Sequence, residues 1–389
     1  MRISRTVVAG LASAAIAASG LAGTALGNHQ TPQSAGQADN SGVRLNQIQM
    51  MGSHNSYHRE LSPAEQKVQQ AQNPGSVDLW YSHASIPSQL EDQNIRTLEL
   101  DLLPDPDGGL YTYPLIRKLT GQGPLTDPAM AKPGIKIMHI PDFDYNTNCD
   151  TFVLCLQQVK SWSDEHPDHV PITINLELKQ SDPNVVAAGG VQSPPWDAAA
   201  LDGVDREIRS VFPEKKLLTA DDVRKPGLTL EQSVLTKGWP KLDAVRGQVL
   251  FYFDNGGPGA IRDLYLAGTP NLEGRAVFTR GPEGQPDAAI TQVNDPRGAN
   301  QAEIQRLVSK GYLIRTRSDE PLATIRDNDT SRVGIALASG AQVVTTDFPV
   351  VGMAARYDSD FVADLPGDDP VRCNPVTAPN WCHGDVEGR

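Results

Sequence analysis

Leu98-Glu99-Leu100-Asp101-Leu102 alternates leucine with carboxylate. Side chains alternate across a strand, so this run puts leucines on one face and two carboxylates on the other. Ile172-Thr173-Ile174-Asn175-Leu176-Glu177-Leu178-Lys179 repeats the pattern, with Thr, Asn, Glu and Lys sharing a face. Ile314-Arg315-Thr316-Arg317 repeats it again with two arginines. Charge on one face of three strands points to a shared polar mouth, not to three separately solvated edges. Two histidines sit near strand ends. His54 lies in Gly52-Ser53-His54-Asn55-Ser56-Tyr57-His58 and His139 in Ile137-Met138-His139-Ile140. Beside carboxylates, such a pair suits acid–base work near neutral pH.

The elements that must position these residues follow from periodicity. Eight strand-like segments are predicted at 45–51, 96–102, 135–140, 172–178, 248–253, 275–279, 312–316 and 342–346. Helical spacing marks 151–165, 196–212, 301–310 and 331–339, and Gly311 and Gly340 close the last two. Strands alternating with helices argue for a parallel sheet. Eight such units predict a closed α/β barrel of the TIM type, (β/α)8, with the site at the C-terminal strand ends. An open doubly wound sheet is the competing architecture, and no glycine-rich nucleotide motif supports it. The barrel is placed at 43–361 as one catalytic domain.

The chain has 389 residues and a formal net charge of −13. That acidity argues against a nucleic-acid partner and against charge-driven membrane docking. Residues 1–27 begin with Arg2 and Arg5, continue through small and apolar residues, and end in Ala25-Leu26-Gly27. This is a secretory signal pattern, followed by a polar leader at 28–42. Its removal takes away two positive charges and leaves −15. Secretion makes disulfides the expected state of the four cysteines. Cys149–Cys155 and Cys373–Cys382 close short loops and are the favoured pairs, the second holding a C-terminal tail at 362–389. The expected product is an extracellular monomer.

The run Gly-Ser-His-Asn-Ser-Tyr, then Leu-Glu-Leu-Asp-Leu, His-Ile and Pro-Ile-Thr-Ile-Asn-Leu-Glu resembles the catalytic half of calcium-dependent phosphoinositide-specific phospholipases C. Arg315–Ser318 and Gly340–Phe348 echo the second half, so the resemblance spans about residues 45–350. The secretory signal makes the chain similar to the bacterial secreted branch. The resemblance implies catalytic roles for His54, His139 and Glu99. It implies metal ligands Asn55, Glu99, Asp101 and Glu177. Lys179, Arg315 and Arg317 match the substrate-contacting basic residues. The implied reaction is attack of the inositol 2-hydroxyl of phosphatidylinositol, giving diacylglycerol and a cyclic inositol phosphate. A phosphoinositide at a membrane or micelle surface is the implied partner.

The residue types agree with that chemistry. Three carboxylates and an amide oxygen form an all-oxygen set for a hard cation, calcium or magnesium. With a divalent ion and a phosphodiester the formal balance is negative, which the basic residues offset. A glycerophosphodiester phosphodiesterase shares barrel, histidines and metal, but its His-Arg-Gly start is His54-Asn55-Ser56 here. A non-enzymatic lipid- or carbohydrate-binding barrel would not need both histidines. His58 and His83 read as loop residues, and His166 and His169 as exposed ones beside a proline. Asp254, Asn255 and Asp347 end strands, where turn roles explain them as well as site roles do. Trp80, Tyr81, Tyr111 and Tyr113 fall in rim loops, with core packing the default.

Overall fold

Ten strands form one sheet: β1 Ile48–Ser53, β2 Thr97–Leu103, β3 Lys136–Ile137, β4 Ile172–Leu178, β5 Val249–Phe253, β6 Val277–Phe278, β7 Ile290–Gln292, β8 Leu313–Arg317, β9 Val343–Thr346 and β10 Val371–Cys373. The computed structural model describes residues 40–367, 369–384 and 386–387. The expected signal segment 1–27 and leader residues 28–39 lie outside the described residues. Eight strands are parallel, in the order β6-β5-β4-β2-β1-β9-β8-β7. They make a nearly closed barrel, and among the described residues no ladder joins β6 to β7.

The alternation read from sequence explains the layers. Leu98, Leu100, Leu102, Ile172, Ile174 and Leu176 are all fully buried. They share one core cluster with Leu156 and Val159 of helix Phe152–Glu165 and with Leu201, Val204 and Ile208 of helix Ala198–Val211. Thr151 and Asp197 cap those helices by accepting from Leu154 N and Ala200 N. Truncating one such leucine to alanine costs about 2–5 kcal/mol. The opposite strand face is polar and points into the barrel. At Gly52 the strands come so close that a Cβ would meet Thr97 Cβ at 2.7 Å and Thr97 O at 2.9 Å.

One expected strand is corrected and one unexpected strand is found. The segment predicted as a third barrel strand, 135–140, holds only the two-residue β3, which runs antiparallel to β2. The cause lies in β1, which pairs β2 through Gly52↔Thr97 alone. The far end of β2 therefore keeps an open edge, and β3 occupies it at Leu102 and Leu103. β4 takes the other edge of β2 from Thr97 to Leu102. The missing barrel strand is β7, pairing β8 through Ile290↔Leu313, Thr291↔Ile314 and Gln292↔Arg315. Its three residues carry one large apolar side chain, too short a run for alternation to show.

The tail returns to the barrel. β10 pairs β1 antiparallel, and disulfides join Cys149 to Cys155 and Cys373 to Cys382. Arg96 at the start of β2 is fully buried and donates from Nη2 to Glu387 Oε2 at 2.7 Å and from Nε to the other carboxylate oxygen.

Candidate active site

Strand register sets the carboxylates side by side. Glu99 lies opposite Asn175 and Asp101 opposite Glu177 on the β2–β4 ladder. One oxygen from each of Glu99, Asp101 and Glu177 falls within 4.8 Å of the others. Burial pushes Asp101 well above the ordinary carboxylate range; Lys179 opposes this, while Glu177 and Glu99 add to it. Such crowding of like charge is what a cation relieves. Asn55 lies two residues past the end of β1. Its φ of 48° is left-handed, which asparagine tolerates better than most residues. The turn is fixed by reciprocal bonds: Ser56 N donates to Glu99 O at 3.0 Å, and Glu99 N to Ser56 Oγ at 2.8 Å. Asn55 Oδ1 and Asp101 Oδ1 are buried without a hydrogen-bond donor. Orphaned buried oxygens in an all-oxygen set fit a hard divalent cation.

Each candidate catalytic histidine is held by an aspartate. His54 Nδ1 lies 2.7 Å from Asp347 Oδ1, and His54 Nε2 lies 3.5 Å from Glu99 Oε1. His139 Nδ1 lies 2.8 Å from Asp144 Oδ2, which is also 2.9 Å from His58 Nε2. Burial raises Asp144, but the two imidazoles outweigh it and hold the group at about 2. Burial likewise opposes ionisation of Asp347, yet His54 and Arg317 hold it far below the usual range. His139 is lowered, chiefly by burial, with Asp144 acting against that.

The three candidate basic residues all meet acids. Lys179 Nζ lies 3.2 Å from Asp101 Oδ2 and 3.1 Å from Glu177 Oε1. Arg315 donates from Nη2 to Glu99 Oε2 at 2.6 Å and from Nη1 to Asn294 Oδ1 at 2.7 Å. Arg317 donates to Asp347 Oδ2 at 2.7 Å and lies 3.4 Å from Asp319 Oδ1. Each cation thus orients a carboxylate of the site as well as balancing it.

Sequence reasoning missed Asp144. It sits in an ordinary-looking Asp142-Phe143-Asp144-Tyr145 run, five residues past His139, and only the loop's fold brings it back. Asp347 was legible only as a strand end with two readings; its contact with His54 decides for the site. His58 and His83 do lie in loops, but both are buried, His58 fully and His83 at 4% exposure, with His83 Nε2 donating to His54 O at 2.8 Å. His169 is also buried, at 3% exposure, against the expectation of an exposed ring. Tyr81 and Tyr111 pack in the core, as their default reading has it.

A cavity of about 560 Å³ opens beside His139 and Lys179. With it the layout is complete: an oxygen-rich cation cradle, two histidine–aspartate pairs, and space next to one histidine. The family model described as phosphoinositide phospholipase C, Ca2+-dependent, matches residues 43–375. No curated protein matches. Among solved structures, an apo form of the calcium-dependent phosphoinositol-specific phospholipase C from the Gram-negative bacterium Pseudomonas sp aligns with TM-score 0.52 and 18% identity, over 86% of this chain and 96% of that one. The myoinositol complex of the same protein aligns with TM-score 0.51 and 17% identity, over the same shares. At such identity the likeness concerns the barrel.

Proposed function

This chain belongs to the calcium-dependent phosphoinositide phospholipase C family, and from that premise we propose that it cleaves phosphatidylinositol through the residues just described. The observation that carries the reading is the pair of histidine–aspartate contacts, 2.7 Å and 2.8 Å long, flanking a carboxylate trio at one end of the barrel. Asn55, Glu99, Asp101 and Glu177 would hold the calcium. The bound ion supplies a Lewis acid that favours ionisation of the inositol 2-hydroxyl and offsets phosphoryl charge.

The remaining steps are those of the chain's own side chains. Glu99 takes the proton from the 2-hydroxyl, with Arg315 fixing the carboxylate's plane. The inositol oxygen bonds to phosphorus as the bond to the glycerol oxygen breaks. His54, kept in place by Asp347, donates to a phosphoryl oxygen as negative charge builds there. His139 Nδ1–H is engaged by Asp144, so in the imidazolium form Nε2–H is the group that gives its proton to the departing diacylglycerol oxygen, leaving the neutral ring with Nδ1–H on Asp144. The products are diacylglycerol and a cyclic inositol phosphate. Lys179 and Arg317 complete the electrostatic balance around the phosphate. Secretion is part of the proposal: two disulfides support it, and among the described residues no helix is long and apolar enough to cross a membrane.

Purified protein, assayed on phosphatidylinositol with and without chelator, tests the reading. Cleavage that chelator stops and calcium restores supports it. Activity on glycerophosphocholine with none on phosphatidylinositol overturns it. His54→Ala and His139→Ala are each expected to lose about 10²–10⁴ in kcat.

A further inference from the structure

The cavity beside His139 has a character the reaction centre lacks. Its walls carry Leu79, Ile140, Pro141, Phe143, Val185 and Ala188, contributed by three separate chain segments. Four of its polar members, Gln69, Asn73, Asp182 and Lys179, are engaged by other groups, while Gln72, Ser76, Gln180 and Asn184 also line it and Ser76 Oγ is buried without a hydrogen-bond partner. Gln69 donates to Phe143 O at 2.8 Å and accepts from Trp80 Nε1 at 3.1 Å. Asn73 accepts from Gly75 N and Asp182 from Asn184 N, each capping a turn. Lys179 is the one lysine or arginine among the lining residues, and it already faces Asp101 and Glu177. A polyphosphate would find no unpaired cation there. An apolar group attached to an oxygen at His139 would find both space and contact.

We propose that this cavity binds the glycerol and the first acyl carbons of the leaving diacylglycerol. The inference rests on the role given above to His139 as proton donor to that oxygen. It has a kinetic consequence. Part of the lipid is held by protein, so monomeric short-chain substrate is turned over without an interface. Binding energy from the acyl stem is used where the bond breaks.

The test compares three soluble probes: dihexanoyl-phosphatidylinositol below its micelle concentration, glycerophosphoinositol, and inositol 1,2-cyclic phosphate. The first two leave different groups, and the third has no lipid to leave. Wild type is expected to favour the dihexanoyl compound over glycerophosphoinositol by about tenfold or more in kcat/KM. Ala188→Trp and Asn184→Trp, both at exposed lining positions, are expected to lower kcat/KM for the dihexanoyl compound about tenfold. Both are expected to hydrolyse the cyclic phosphate as wild type does. Equal loss on both substrates would assign the cavity to the inositol instead and overturn the proposal. So would undiminished cleavage of the dihexanoyl compound. If neither variant folds, wild-type indifference between the dihexanoyl compound and glycerophosphoinositol overturns it. Wild-type inactivity on all three, and on phosphatidylinositol vesicles, would reject the phospholipase reading itself.

Discussion

Asp144 accepts from His139 at 2.8 Å through the same carboxylate oxygen that meets His58 at 2.9 Å. One buried anion therefore sets the orientation of two imidazoles, one facing the cavity and one fully buried. The His54–Asp347 pair repeats the device across the mouth, with Arg317 in the place of the second imidazole. Both aspartates are 1% exposed, so neither contact is diluted by solvent.

Asp144→Asn preserves shape but turns one acceptor atom into a donor. The amide oxygen can still accept from both rings, but the negative charge that favours the imidazolium forms of His139 and His58 is lost. We expect kcat on phosphatidylinositol to fall by about 10²–10⁴ with a native-like circular dichroism spectrum. Initial rates measured at saturating calcium check this. A folded variant within about threefold of wild type would remove Asp144 from the mechanism.

Calcium binding should appear as stability. An ion that binds only the native state adds about 2.7 kcal/mol at a hundred times its Kd. Wild type is therefore expected to melt higher with calcium. Asn55→Gly accepts the φ of 48° at no steric cost and removes the whole carboxamide, both the candidate ligand oxygen and the Nδ2 that donates to Tyr81 OH. Its calcium-induced shift should shrink, and that of Asp101→Asn should vanish. An undiminished shift in Asp101→Asn places calcium elsewhere.

The sequence made the site's carboxylates legible because strand alternation is a local code. Glu99 and Asp101 must share a face whatever surrounds them, and Glu177 joins them once β4 pairs with β2. Asn55 needed the family resemblance, since nothing local marks an amide as a ligand. Asp144 and the buried state of His58 depend on a loop that folds back from β3 across β1's turn, and periodicity says nothing about such returns. The barrel itself was legible from eight alternating units, although one unit was misplaced. β3 looked like a barrel strand because it is apolar and precedes a helix. β7 was hidden because three residues are too few to show a period. Arg315 was legible as a cation on the right face, but its bond to Glu99 required the barrel to curve β8 towards β2.

The tail contributes stability through a buried charge. Arg96 Nη1 also donates to Leu90 O at 2.7 Å and Ile95 O at 2.8 Å, so backbone carbonyls as well as Glu387 hold its guanidinium. Glu387→Ala leaves that cation buried without its anion and is expected to cost about 3–5 kcal/mol in urea unfolding. The double change Arg96→Met with Glu387→Leu should recover much of this, because it removes both charges. A loss below about 1 kcal/mol in Glu387→Ala would show that the Arg96–Glu387 pair adds nothing measurable to the fold.

Acid should weaken the fold through histidines that are buried neutral. His169 Nε2 lies 2.7 Å from Ser163 Oγ, and Nδ1 faces Val170 O, an arrangement that a neutral ring satisfies. Burial lowers its pKa from 6.5 to about 4, with only partial compensation from the Val170 carbonyl and Glu387. The unfolded chain therefore binds a proton that the native one refuses. The stability from this group is present above about pH 6.5 and is lost as pH falls towards about 4, on the order of 3 kcal/mol in all. His83, also lowered to about 4 by burial, adds to the same window. His169→Gln should be less stable than wild type at neutral pH yet lose less between about pH 7 and about pH 4.5. Urea midpoints at the two pH values give the comparison. Parallel losses in wild type and His169→Gln would assign the acid sensitivity to other groups.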